Sequence, residues 1–296
     1  MQASIRNNMT EESNNNSKYH PLETPFTFRK HMIIRREFKW LLKQNRLDDF
    51  ETVMKFADGE IVKRQIKERS TVRFHIPDGK GKTLLYLKRY RYPLISSFLK
   101  NCVKFSKTYS AIHEWRNILA FHDHNLPTMV PVAVGMRSRI PFVKESFLLT
   151  LGISDTETLE KTAEEYFRPP LDETRRKQKR MLINKVALLA QHMHEQGFRH
   201  QDFYLCHILI NWKHRDNPLL FIVDLHRVTR ERKNRTRWRI KDLAALNYSA
   251  PAHTVSRTDR LRFLKQYSPR LAGNRSFIKA IVKKTQKIRN HNEKRR

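Results

Sequence analysis

The chain has 296 residues, enough for one large domain or two packed lobes, each with a real core. Apolar residues make up 39% and charged residues 30%, which excludes a chain disordered throughout. Lysine and arginine number 60 against 29 acidic residues, a formal net charge of +31, and such a surface seeks polyanions: nucleic acid, an anionic membrane face, or a phosphorylated or carboxylated glycolipid.

Residues 1–25 open the chain with a polar, Asn/Ser-rich stretch that reads as a disordered lead-in. It has no apolar run of the kind a secretory signal carries. No segment of the chain approaches the ~20 apolar residues of a membrane-spanning helix. A cytoplasmic protein, soluble or peripheral, is therefore expected. Residues 31–57 read as helical, with Phe38, Leu41, Leu42 and Leu47 among charges. From Gly59 the texture becomes β-rich: 61–66, 71–76 and 83–90 are short strands, and Pro77-Asp78-Gly79 predicts a hairpin between the last two. A helix is expected over 107–122, then strands over 130–135 and 146–151.

Beyond residue 152 the pattern turns helical. Leu182, Val186, Leu189, Ala190 and Met193 recur at helical spacing, with Asp172 or Thr174 placed to start that helix and Gly197 to stop it. Two β-like runs follow, 208–211 and 219–224, and then helices near 238–249, 257–267 and 275–288. The expected architecture is α+β and two-lobed: an N-lobe over 26–152, a helical C-lobe over 153–275 and a basic tail over 276–296. Cys102 and Cys206 are far apart and lack metal-ligand spacing, so two reduced thiols are expected.

Two segments carry the chemistry. HQDFYLCHILI, residues 200–210, follows the long helix, and FIVDLHR, residues 221–227, sets Asp224 at the end of an apolar β-run. A buried carboxylate there needs a cation, either a metal or an Arg/Lys. A strand-turn-strand path joins Asp202 to Asp224 and is able to return both to one cleft. Alone, each motif reads equally as a turn or cap and a salt-bridge partner. Together, H-x-D, a polar residue five positions on, and a hairpin ending in apolar-apolar-Asp resemble the phosphotransfer layout of protein-kinase-like enzymes.

HQDFYLCHILI, VDLHR, IKDLAALNYS, HEWRN, LPTMVPVAVG and ESFLLT are similar in finer detail to the lipopolysaccharide core heptose kinases, over residues 59–267. The resemblance implies ATP-dependent phosphorylation of a heptose hydroxyl in the lipopolysaccharide inner core, with Mg²⁺. It makes Asp202 the catalytic Asp and Asp224 the metal-binding one. His207 stands where Asn is usual, as a group near the metal or on phosphate. Lys88 and Glu114 match the phosphate-holding pair, and Asp242, in KDLAAL, braces the catalytic loop together with His200. Thr150-Leu151-Gly152 replaces the usual acidic hinge, so Thr150 and Gly152 would meet the nucleotide base. Gln201 stands where an Arg is common. The phosphate-covering loop, residues 59–71, has one glycine, with Arg64, Lys67 or Arg69 supplying charge instead.

The basic segments 88–107, 227–241 and 279–296 then face an anionic glycolipid at the inner face of the inner membrane, where each basic residue contributes on the order of 1 kcal/mol. The stretch 93–105, with Leu94, Ile95, Phe98 and Leu99, fits an interfacial amphipathic segment, and so does the tail, with Phe277, Ile278, Ile281 and Val282. Two rivals remain at this point: a kinase acting on Kdo or another glycolipid, and a degenerate relative that binds polyanions or nucleic acid. No nucleic-acid-binding motif supports the latter.

Overall fold

The computed structural model describes residues 26–66, 69–91, 111–139, 142–231 and 236–294. The lead-in over 1–25, the amphipathic stretch 93–105 and the side chains of Arg64 and Lys67 lie outside the described residues. The described residues divide into two compact units, one within 1–97 and 131–150, the other within 98–130 and 151–296.

The first unit is built on one sheet. Its strands are β1 (Phe26–Arg29), β2 (Met32–Arg35), β3 (Glu60–Ile66), β4 (Arg69–Pro77), β5 (Lys82–Arg91), β6 (Pro131–Arg139) and β7 (Phe142–Leu151), in the order β1-β2-β6-β7-β5-β4-β3. The Pro77-Asp78-Gly79 hairpin forms as expected, with β4 and β5 paired antiparallel from Arg69↔Tyr90 to Pro77↔Lys82. Asp78 closes it by accepting from the backbone N–H groups of Lys80 and Gly81 and from the Thr83 hydroxyl, the turn geometry that Asp favours. Strand alternation buries Leu85 and Leu87 and turns Lys88 to the opposite face.

Residues 31–57 differ from the helix expected there. Strand β2 comes first, then helices α1 (Lys39–Gln44) and α2 (Phe50–Lys55). Met32–Arg35 is too short an apolar run to show a period, and Ile33 and Ile34 pair with Val134 and Ala133 of β6. Helix α2 is capped by Asp49, which accepts from the N–H groups of Glu51 and Thr52. Leu41, Leu42, Phe50, Val53 and Met54 are buried, and the Phe50 and Phe147 rings lie 5.6 Å apart.

The second unit holds α3 (Ala111–Asp123), α4 (Glu173–Glu195), α5 (Thr236–Ser249), α6 (Arg257–Tyr267) and α7 (Arg275–Glu293). Strands β8 (Thr156–Thr158), β10 (Ile208–Asn211) and β11 (Leu219–Ile222) form a small sheet in the order β11-β10-β8, and β9 (Phe198–Arg199) pairs with β12 (Thr229–Arg230). Asp172 caps α4 by accepting from the Arg175 N–H at 2.7 Å, and the predicted stripe Leu182, Val186, Leu189, Ala190 and Met193 is buried. Gly197 follows at φ 82, and a Cβ there would come within 2.6 Å of the Glu231 carbonyl oxygen.

Two boundaries shift. Helix α3, expected in the first lobe, groups with the second unit, because His113 and Asn117 bond to the backbone of residues 225–228. The expected basic tail is helix α7. Phe277 and Ile281 are buried, and the Thr285 hydroxyl accepts from Asn247 and bonds to Ala244 O of α5. Those two apolar residues belong to the core of this unit and are not free to enter a lipid interface. No helix among the described residues is long and apolar enough to cross a membrane.

Candidate active site

The site grows from the end of α4. Gly197 releases the chain into β9, and His200 and Gln201 then turn it back on itself, Gln201 at φ 70. Asp242 of α5 holds that turn. Its side chain is 1% exposed, and its carboxylate accepts from the backbone N–H groups of His200 at 2.7 Å and Gln201 at 2.9 Å. Behind it, the His194 Nε2–H donates to Asp242 at 3.3 Å while His194 Nδ1 accepts from the Tyr267 hydroxyl at 2.8 Å. Burial alone would raise the Asp242 pKa. The hydrogen bond from His194 and the backbone N–H of His200 outweigh it and leave the carboxyl below the usual range. The expected bracing of the loop by Asp242 thus has a specific geometry, reinforced by His194 and Tyr267.

His200 itself is fully buried. Its Nε2–H donates to Val223 O at 3.1 Å, and its Nδ1 has no partner among the described residues. Desolvation pushes its pKa down to about 4, against the opposing charge of Asp242, so the ring is neutral at pH 7.

Asp202 and Asp224 come together through His207. The β10–β11 hairpin pairs Ile208 with Ile222, and one step further the Val223 N–H donates to His207 O at 2.9 Å. Asp224 follows in the left-handed region, at φ 63 and ψ 57. The His207 Nδ1–H donates to the Asp202 backbone carbonyl at 2.7 Å, and its Nε2 lies 3.5 Å from the Asp224 carboxylate. The other Asp224 oxygen accepts from His226 Nδ1 at 2.9 Å. Asp202 accepts from the Arg227 guanidinium at 2.7 Å, and Gln201 Nε2 donates to Arg227 O at 2.6 Å. From α3, Asn117 Nδ2 donates to Leu225 O and Val228 O, and His113 Nε2 donates to Val228 O. The turn after Asp224 is therefore fixed from two sides.

The other expected site residues divide between the units. Lys88 on β5, opposite Thr71, and Thr150, buried near the end of β7, belong to the first unit. Glu114, fully buried in α3, and Gly152 belong to the second. Six contributors went unrecognised in the sequence: His113, Asn117, His194, His226, Arg227 and Tyr267. His226 and Arg227 stood inside the VDLHR motif and Asn117 one helical turn past Glu114, so each had a positional signal. His194 looked like one more polar residue near the end of α4.

The donor set suits a hard cation of the Mg²⁺ type. Such an ion keeps waters and takes one or two carboxylates plus substrate phosphate oxygens. Asp224 offers a carboxylate that is 24% exposed. Among the described residues no three His, Cys, Asp or Glu side chains converge as a closed metal cage.

A buried Asp bracing an H-x-D turn, and a hairpin that returns a second Asp beside it, define a protein-kinase-like phosphotransfer centre. The model of the Lipopolysaccharide kinase (Kdo/WaaP) family matches residues 56–267, and the chain belongs to that family and is a kinase. It is 33% identical over 244 residues to the lipopolysaccharide core heptose(I) kinase WaaP of Pseudomonas aeruginosa strain PAO1, covering 80% of this chain and 85% of that protein. It is 31% identical over 224 residues to the protein of the same name from Escherichia coli K12, covering 74% of this chain and 81% of that one. A solved structure described as WaaP in complex with acyl carrier protein superposes with a TM-score of 0.67 at 29% identity, covering 87% of this chain and 99% of that one.

Proposed function

We propose that this kinase transfers the γ-phosphoryl group of ATP to a heptose hydroxyl of the lipopolysaccharide inner core, working as a peripheral protein at the cytoplasmic face of the inner membrane. The observation that carries the reading is the His207 link, with one ring nitrogen on the Asp202 backbone and the other beside the Asp224 carboxylate. A loop and a hairpin held in register this way suit in-line transfer, where catalysis is mostly positioning and electrostatics. The two curated relatives bear the name heptose(I) kinase, which supports heptose over Kdo as the acceptor.

Asp202 orients the acceptor hydroxyl and takes its proton. Arg227, bonded to one carboxylate oxygen, leaves the other for that proton. Asp224 would hold Mg²⁺, with His226 and His207 aligning its carboxylate. When bound, the ion neutralises charge on the β- and γ-phosphate oxygens. Lys88 holds the nucleotide's phosphates and Glu114 directs it. The backbone at Thr150 and Gly152 meets the base, and His200 with Asp242 keeps the loop in place.

The test is incubation of the protein with γ-labelled ATP, Mg²⁺ and dephosphorylated inner-core lipopolysaccharide, followed by mass analysis of the sugars. Phosphate on heptose is the expected product. Label found only on Kdo, or on no sugar, overturns the reading.

A further inference from the structure

Within the second unit a pocket of ≈ 410 Å³ opens beside the 202–207 loop. Tyr204 and Cys206 of that loop line it, with Tyr248 from the end of α5 and Arg289 from α7. Three carboxylates line it as well: Glu160, Glu164 and Glu293. Among the described residues none of the three is in an ion pair, in a chain whose net charge is +31. Against these three carboxylates the described lining sets one cation, Arg289, so the local charge opposes an anionic ligand even on so basic a protein.

The pocket adjoins the reacting group. The Tyr204 N–H donates to Asp202 O at 2.8 Å. Burial first, and the Asp202 charge next, raise the pKa of the Tyr204 phenol, so the hydroxyl feels that carboxylate. The wall is also firmly built. The Leu205 N–H donates to the Ser249 hydroxyl at 2.9 Å, the Tyr204 and Tyr248 rings meet edge to face at 6.3 Å, and Asn292 Nδ2 donates to the Tyr248 hydroxyl at 3.0 Å.

We infer that this pocket is the acceptor subsite and that it selects an uncharged, hydroxyl-rich sugar over a carboxylated one. Carboxylates accept hydroxyl hydrogens in charge-assisted bonds, and tyrosine rings cover the apolar C–H face of a pyranose. Arg289 supplies a donor for ring or hydroxyl oxygens. A Kdo unit would instead bring its carboxylate against Glu160 and Glu164. The inference rests on the kinase acceptor reading and adds the place and the discriminating residues.

Cys206 gives a readout independent of turnover. In a Cys102→Ser background it is the sole thiol of the chain. Its alkylation by iodoacetamide is followed with the methyl glycoside of heptose, then with that of Kdo. The heptoside is expected to slow labelling at least fivefold at saturation and the Kdo glycoside to leave it unchanged. In Glu160→Gln the concentration giving half protection is expected to rise about tenfold, which is ~1.4 kcal/mol. The nucleotide-induced melting shift of that variant should match the parent's, which shows that it folds. Unaltered labelling with heptoside, or equal protection by both sugars, overturns the inference. Phosphoryl transfer measured in parallel separates the two readings. Transfer without protection removes the pocket and leaves the kinase assignment. Protection without transfer keeps the pocket and removes the assignment.

Discussion

Asp202 and Asp224 are both carboxylates about a quarter exposed or less, yet their backbones differ, and that decides how each is tested. Asp202→Asn keeps the size and the Arg227 contact but cannot take a proton. Its kcat is expected to fall roughly 10³-fold with ATP binding retained, measured by turnover and by nucleotide titration. Asp224 sits in the left-handed region, which Asn tolerates better than other non-glycine replacements. Asp224→Asn should therefore fold and still lose the Mg²⁺-dependent rise in melting temperature that ATP gives the parent; an unchanged rise removes the metal role. His200 makes a pH prediction. Its folded pKa, about 4, lies below the unfolded ~6.5, so the unfolded chain binds the extra proton between those values. Stability then falls as pH drops from 6.5 to 4, by about 3 kcal/mol from this group. Urea midpoints across that window should show the slope, and His200→Asn should flatten it.

At the scale of elements, α7 separates burial from appearance. Ile281 is 6% exposed and Val282 57%, though both are β-branched and lie between Lys279 and Lys283. Ile281→Ala is expected to cost ~2–4 kcal/mol and Val282→Ala less than ~0.5, read from denaturant midpoints. The sequence showed the helix and its apolar residues but not which way they faced, because burial depends on Thr285 and its partners in α5, some forty residues away. The same limit explains β2: Met32–Arg35 lies between β1 and β6, and β6 comes about a hundred residues later. Long or punctuated elements were legible. Asp172, the 3.6-residue stripe and Gly197 delimit α4 by local chemistry, and Asp78 defines its hairpin within five residues. The site was legible where motif order carried it, at Asp202, Asp224 and Asp242. Asn117, Arg227 and His194 escaped because their work lies in contacts with backbone carbonyls or buried carboxylates distant in sequence.

For the whole molecule, the charge is sorted by purpose. The chain carries a net charge of +31, and three carboxylates line one pocket of its second unit. Long-range attraction is then expected to draw the chain to a polyanionic surface, and short-range repulsion to govern what enters the pocket. Co-sedimentation with vesicles containing anionic lipid should be strong at low ionic strength and lost near ~0.5 M salt, where screening falls to a few Å, with neutral vesicles bound at neither. Binding that ignores salt would show that charge is not what holds the protein to such a surface.

The left-handed backbone of Asp224 bears on efforts to make the enzyme hardier. Glycine adopts that conformation without steric penalty, and this relief is expected to offset the lost His226 hydrogen bond and the added freedom of the unfolded chain in Asp224→Gly. The variant is expected to melt near its parent and transfer nothing. On the proposed metal role, a screen for heat tolerance alone would then let the chemistry drift away unnoticed.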